Sequence, residues 1–266
     1  MKKRYIYTTL VFLSVLTSCF DTISPDFEFE EQVFISGLLT SETDFVSVQI
    51  QKTVPVTDES FSAVNDAQVS LFTRDVSNTV SLVSDSFTVV DGEYQTSEMI
   101  TPIIGNSYWI EVILQDQTVL TSKEEILNPV QITDIVKNED KVQITFTGPV
   151  EQQNFYLIRL EVFKEGLLVT DDWGVFNDNV VNEGLEKKLD ITNTIEDDST
   201  VIISLHSISF NTFQFYVNVL STQDDQFLAT IFSPINIVGN VTNTTTNTLA
   251  LGNFGIAGFS TITMDF

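Results

Sequence analysis

The chain has 266 residues, 37 acidic and 12 basic side chains, a formal net charge of −25, and 42% hydrophobic residues with 21 Phe among them. A field of that sign repels nucleic acid and anionic headgroups, which excludes nucleic-acid binding, while the apolar content excludes a disordered chain. One Cys and one His exclude an intrachain disulfide and the usual histidine- and cysteine-based zinc set, and the length suits two domains or one large β domain.

In chain order, Lys2, Lys3 and Arg4 come first, followed by a mostly apolar run from Tyr5 to Leu16. The run fits a signal-peptide core and is too short for a bilayer-spanning helix, which needs about 20 residues. It ends Leu16-Thr17-Ser18-Cys19, which resembles the lipobox of bacterial lipoproteins. The resemblance implies cleavage before Cys19, acylation of its thiol, and membrane lipid as a partner. Cys19 then needs no disulfide partner, metal or catalytic base. Removing residues 1–18 takes away three basic side chains and no acid, so −25 becomes −28. Residues 19–32, acidic and containing Pro25, read as a tether.

Period-two patterns then recur. Val33–Leu39, Val46–Ile50, Ala67–Phe72, Val80–Val83, Phe87–Val90, Glu93–Thr96, Tyr108–Leu114 and Thr118–Ser122 read as short strands, with Asp91-Gly92 as a hairpin turn. Asn128-Pro129 marks a boundary, because Pro129 biases its neighbour towards extended geometry. Beyond it, Val130–Val136, Val142–Phe146, Phe155–Phe163 and Val201–Ile208 read as strands, with Lys164-Glu165-Gly166 as a turn. Phe213, Tyr216, Val217 and Leu220 fall on one helical face, which predicts a helix over about 211–223 capped by Ser209 or Asn211. Residues 243–247 form a Thr/Asn loop, and Phe254–Ile262 is the expected last strand. The predicted fold is mostly β, with two β-sandwich-like domains over 33–126 and 127–266, the second carrying the helix.

Asp66-Ala-Gln-Val-Ser-Leu-Phe72, Asp91-Gly-Glu-Tyr94 and Gly105-Asn-Ser-Tyr-Trp-Ile-Glu-Val112 resemble the successive strands of transthyretin-like and carboxypeptidase-regulatory-like sandwiches. In the second half, Phe176-Asn-Asp-Asn179, Leu205-His-Ser-Ile-Ser209, Phe213–Leu220, Phe232–Val241 and Leu251-Gly-Asn-Phe254 follow in an order that, with the lipobox, resembles a Bacteroidetes lipoprotein family, domain of unknown function 4249. Its members often read Gly-Tyr-Phe where this chain has Gly252-Asn-Phe254. The resemblance implies a non-enzymatic outer-membrane protein, on the surface face by preference, encoded beside a TonB-dependent receptor. It carries over no catalytic residues.

Several side chains are singled out by type. His206 lies among apolar strand residues and reads as a structural or surface histidine, because no nucleophile-elbow motif accompanies it. Asp171, Asp172 and Asp178 offer the hard oxygens calcium takes, as do Asn177, Asn179, Asp197 and Asp198, although their spacing matches no EF-hand loop. Trp109, in an apolar strand, is expected in the core. Trp173, in what reads as a polar loop, is either a buried anchor or an exposed ligand contact that stacks on a sugar or meets a partner. The functional expectation is a lipid-anchored accessory that helps a TonB-dependent receptor capture or take up its substrate. The alternatives are a free-standing surface module for glycan or peptide, then a hydrolase, then a membrane barrel, which the irregular strand lengths oppose.

Overall fold

In a computed structural model, residues 29–55, 62–138, 141–149, 153–177, 186–192, 195–221 and 238–266 are described. The chain divides into the units Met1–Glu30 and Glu31–Phe266, and every element below belongs to the second. Its first ten strands are β1 (Val33–Thr40), β2 (Ser47–Lys52), β3 (Ser62–Ala63), β4 (Gln68–Arg74), β5 (Val80–Ser84), β6 (Phe87–Val90), β7 (Glu93–Thr96), β8 (Ser107–Ile113), β9 (Val119–Ser122) and β10 (Glu125–Ile126). Then follow β11 (Gln131–Asn138), β12 (Lys141–Thr147), β13 (Phe155–Lys164), β14 (Leu167–Asn177), β15 (Glu186–Thr192), β16 (Ser199–Ile208), helix α1 (Phe210–Ser221), β17 (Val238–Asn243) and β18 (Thr248–Asp265).

Alternation sets the faces. In β8, Tyr108, Ile110 and Val112 are buried while Trp109 and Glu111 point the other way. In β12, Val142, Ile144 and Phe146 are fully buried. A side chain every second residue on each face is what a pleated strand dictates. Asp91 and Gly92, both at positive φ, close the β6–β7 hairpin as a primed turn, and Glu165 and Gly166 do the same between β13 and β14.

Two cores result. The first gathers Ile35, Val48, Ile50, Leu71, Ile110, Val112 and Leu127 with Val241, Phe254 and Ile256. The second gathers Val142, Ile144, Phe146, Tyr156, Leu160, Val201, Ile203 and Leu205 between the β11–β12–β15 sheet and one face of β14–β13–β16–β18. Both interiors are apolar, the reverse of a membrane barrel with its outward apolar band. The fold is mostly β and sandwich-like in both halves, as the strand patterns predict.

β18 joins the two. Its first half runs parallel to β1 and antiparallel to β17, and its second half runs antiparallel to β16. The predicted division at 126/127 is therefore corrected: Val241, Phe254 and Ile256 return to the first core, because β1 needs a partner on its open edge. The last strand is 18 residues, not the expected nine. Two glycines permit its path. Gly252, at φ +102°, sits in a bulge opposite Val238, and a Cβ there would overlap the Ile35 backbone. At Gly258, where β18 passes between partners, a Cβ would overlap the Asn128 carbonyl.

The helix forms where expected, capped by Ser209, whose Oγ accepts a bond from the Thr212 amide at 3.1 Å. Its buried residues are Thr212 and Phe215, whereas Val217 is exposed. The predicted 213/216/217/220 face is thus turned towards 212 and 215, because the helix packs on β17 and β18 as well as on β13 and β14. Residues 222–223 of the expected helix lie outside the described residues. The end of the expected tether is already anchored: the Gln32 amide bonds Thr53 Oγ1 at 2.9 Å, and Glu31 pairs with Lys52 at 2.7 Å.

Candidate functional site

Two places on β18 concentrate polar chemistry. The first is buried. Glu125 in β10 is 6% exposed. One of its carboxylate oxygens accepts bonds from Ser209 Oγ (2.6 Å) and Asn240 Nδ2 (3.0 Å), the other from Thr212 Oγ1 (3.3 Å) and the Ile256 amide (3.3 Å). Asn240 cannot turn its amide over, because its Oδ1 accepts from the Phe254 amide and its Nδ2 also donates to the Phe254 carbonyl. Burial pushes the Glu125 carboxyl up from its ordinary range, and the four donors oppose that shift. The first turn of α1 holds no acid of its own, so Glu125 brings the negative charge its N-terminus favours from far along the chain. Every oxygen in this group is committed to hydrogen bonds within the fold, so it acts as a fastener. Sequence reading passed over Glu125. The available signal was parity, since Glu125 and Leu127 share a face and Leu127 is fully buried.

The second place is open. β14, β13, β16 and β18 set Trp173, Arg159, Ser204 and Thr261 in one row across the outer face of their sheet. Towards β1 this face is covered, where Leu157 and Val175 pack under Phe213 and Tyr216. Trp173 lies past that cover and is 43% exposed. The Arg159 guanidinium carbon stands 5.2 Å from the Trp173 ring centroid. That guanidinium is held by two bonds to Asp171, 2.8 and 2.9 Å, and by Glu161 at 3.1 Å. The Arg159 hydrogen bonds hold the Asp171 carboxyl below its usual range.

His206 lies beside this row. Its ring is tilted 24° from Trp173 with centroids 6.4 Å apart, and it meets Phe259 at 4.9 Å. Burial holds its pKa down to about 4; a hydrogen bond to the Leu157 backbone pushes it up, and Arg159 pushes it down further. The imidazole is therefore neutral near pH 7, and Nδ1 has no hydrogen-bond partner. A triad base would bond a serine hydroxyl on one nitrogen and a carboxylate on the other, and neither bond is present.

Several predicted residues move from loop to strand. Asp171, Asp172 and Trp173 belong to β14, paired along its length with β13. Consecutive strand residues point to opposite faces, so Asp171 and Asp172 do not converge on one cation as the expected calcium loop requires. Asp171 is bound to Arg159 instead. Asp197 bonds Lys137 Nζ at 3.0 Å, and Asp198 occupies a turn at φ 66°. No group of three metal-ligating side chains occurs among the described residues. Asp178, Asn179, Leu16, Thr17, Ser18 and Cys19 lie outside the described residues. Trp109 is corrected from core to outer face, where it stacks on Phe72 at 5.6 Å with Arg74 over its ring at 5.7 Å.

Comparisons with known proteins add the following. No curated protein matches the chain. Among solved structures, a DUF3823 family protein from Bacteroides uniformis is 10% identical, covering 89% of this chain and 100% of its own, with TM-score 0.30. A DUF4785 family protein from Legionella pneumophila is 12% identical over 68% of this chain, with TM-score 0.29. This chain spans 53% of the Legionella protein. A family model described as Domain of unknown function (DUF4249) matches residues 20–263, nearly the whole chain, and the chain belongs to that family.

Proposed function

We propose that this chain is a lipid-anchored outer-membrane accessory protein that assists a TonB-dependent receptor in substrate capture or uptake. The observation that carries the reading is the leader: three basic residues, a short apolar run and Leu16-Thr17-Ser18-Cys19, the chain's only cysteine. The family match beginning at residue 20 is in keeping with a mature protein that starts at Cys19. Acyl chains on Cys19 hold the protein in the membrane plane, because each buried methylene adds about 0.8 kcal/mol. Confinement to that plane raises the effective concentration at a receptor in the same membrane.

The body suits that arrangement. From Cys19 to Val33 the chain reaches at most roughly 50 Å when extended. β1 enters beside Leu251, while the Trp173 row crosses β18 at Thr261, ten residues farther along and so about 33 Å away. The open face thus lies well along β18 from the place where β1 begins. The test is purification of the native protein from detergent-solubilised outer membrane beside a Cys19→Ala control. The expected result is a mature mass lacking residues 1–18 and bearing acyl chains, with a TonB-dependent receptor in near-stoichiometric amount. An unacylated mature chain sinks the anchoring. An acylated chain that emerges alone under gentle conditions sinks the receptor partnership.

A further inference from the structure

An exposed aromatic taken alone asks for no explanation. Trp173 differs because its ring is built into a fixed support. Arg159 lies over it at 5.2 Å, and two hydrogen bonds to Asp171 and an ion pair with Glu161 hold that guanidinium in turn. His206, wedged against Phe259, lies close to parallel with the indole. With those neighbours in contact, 43% of Trp173 is still exposed. Among the described residues, no hydrophobic cluster covers the row from Trp173 to Thr261. The result is a rigid aromatic face with immobilised donors and acceptors beside it, an arrangement in which little ordering remains to be done on binding.

We propose that this sheet face binds a neutral saccharide, with the exposed part of the Trp173 ring against the C–H face of a pyranose ring and the Arg159–Asp171 pair bonding its hydroxyls. The aromatic face carries partial negative charge and attracts the weakly positive C–H groups of a sugar ring. A hydroxyl both donates and accepts, so one that meets Asp171 and Arg159 is served on both counts. Neutrality follows from charge. Arg159, the cation beside the indole, is already matched by Asp171 and Glu161, and the net charge of −25 repels a uronate or sulfate. A cationic ligand is disfavoured too, because one cation already occupies the indole and His206 stays neutral.

This inference deepens the reading above by naming the class of material captured, and rests on that reading only for its biological setting. Binding is measured on the isolated full chain in detergent micelles, so failure to bind sugar and failure to co-purify with a receptor are separate results. Titration calorimetry would use neutral gluco-, manno-, galacto- and xylo-oligosaccharides, an oligogalacturonate and a lysine-rich peptide. The expected result is binding of at least one neutral oligosaccharide, weakened at least about tenfold by Trp173→Ala and left unchanged by Trp109→Ala. Trp173→Phe should keep part of the affinity, and unchanged thermal midpoints in both Trp173 variants separate lost contact from lost fold. The proposal is overturned if no neutral oligosaccharide binds, if Trp173→Ala binds as tightly as the parent, or if only the oligogalacturonate or the peptide binds.

Discussion

The two halves of β18 meet polar chemistry in opposite ways. Near Ile256, a carboxylate is taken out of water and given four donors under the N-terminus of α1. Near Thr261, a charged pair and an indole remain on an open sheet face. The strand is the same; the difference lies in what covers it. Where α1 begins, both oxygens of the buried Glu125 carboxylate have committed donors, as burial demands. Where α1 stops, side chains keep bonding capacity to spare. A fastener and a binding face thus sit at neighbouring stretches of one strand, and the reach of one helix separates them.

The strongest way to break this comparison is Glu125→Ala. It leaves four donors without their acceptor and should cost about 3–5 kcal/mol in urea denaturation. Glu125→Gln sharpens the point. One carboxylate oxygen faces Asn240 Nδ2 and the other the Ile256 amide, so either amide orientation sets an N–H against an N–H, and a loss of about 1–3 kcal/mol is expected. If Gln matches the parent, Glu125 is not the fastener.

Acid titration sets the two regions against each other. The His206 pKa is held down to about 4 from 6.5, so the unfolded chain takes up its proton first. Stability is full above pH 6.5 and falls through the folded pKa as acid is added, by roughly 3 kcal/mol in all. Glu125 has the opposite sign. Its carboxyl is raised, so the stability it contributes is present below its unfolded pKa and lost as pH rises through the folded one. Denaturation midpoints between about pH 7 and pH 4 should therefore fall less steeply in His206→Phe and more steeply in Glu125→Gln. Parallel profiles in all three proteins would contradict both assignments.

The next effect lies at the crossing between the halves. Gly258→Ala places a methyl group against the Asn128 carbonyl and should cost about 1–3 kcal/mol by denaturant titration. The smallest effect compares the tryptophans. Trp109→Ala removes the stack on Phe72 and should cost about 1–2 kcal/mol, whereas Trp173→Ala should cost less than about 1 kcal/mol. Equal shifts in thermal midpoint would mean that Trp173 belongs to the packing after all.

Much of the fold was legible in the residues. Tyr108, Ile110 and Val112 alternate in sequence and lie on one face in space, and Ser209 caps the helix that the apolar spacing marks. The same alternation already placed Trp109 opposite Tyr108 and Ile110, so its exclusion from the core was there to be read. β14 was not legible. Its Thr170-Asp-Asp-Trp-Gly174 looks like a polar loop, and it becomes a strand because β13 offers ten pairing partners, a tertiary override of weak local preference. That override moves Asp171, Asp172 and Trp173 from a loop to a sheet face, changing a cation loop into a flat platform.

By itself the sequence determined the strongly acidic charge, the single cysteine at the end of an apolar leader, and which residues share a face of each strand. Those properties are local or additive along the chain. Only the tertiary structure decided that β18 serves two cores, that Glu125 is buried beneath a helix start, and that Trp173 lies open on Arg159 and His206. A period of two says which side chains point together, but not which element covers them. Here the cover comes from far away, as in the bond between Glu125 and Ile256, 131 residues apart.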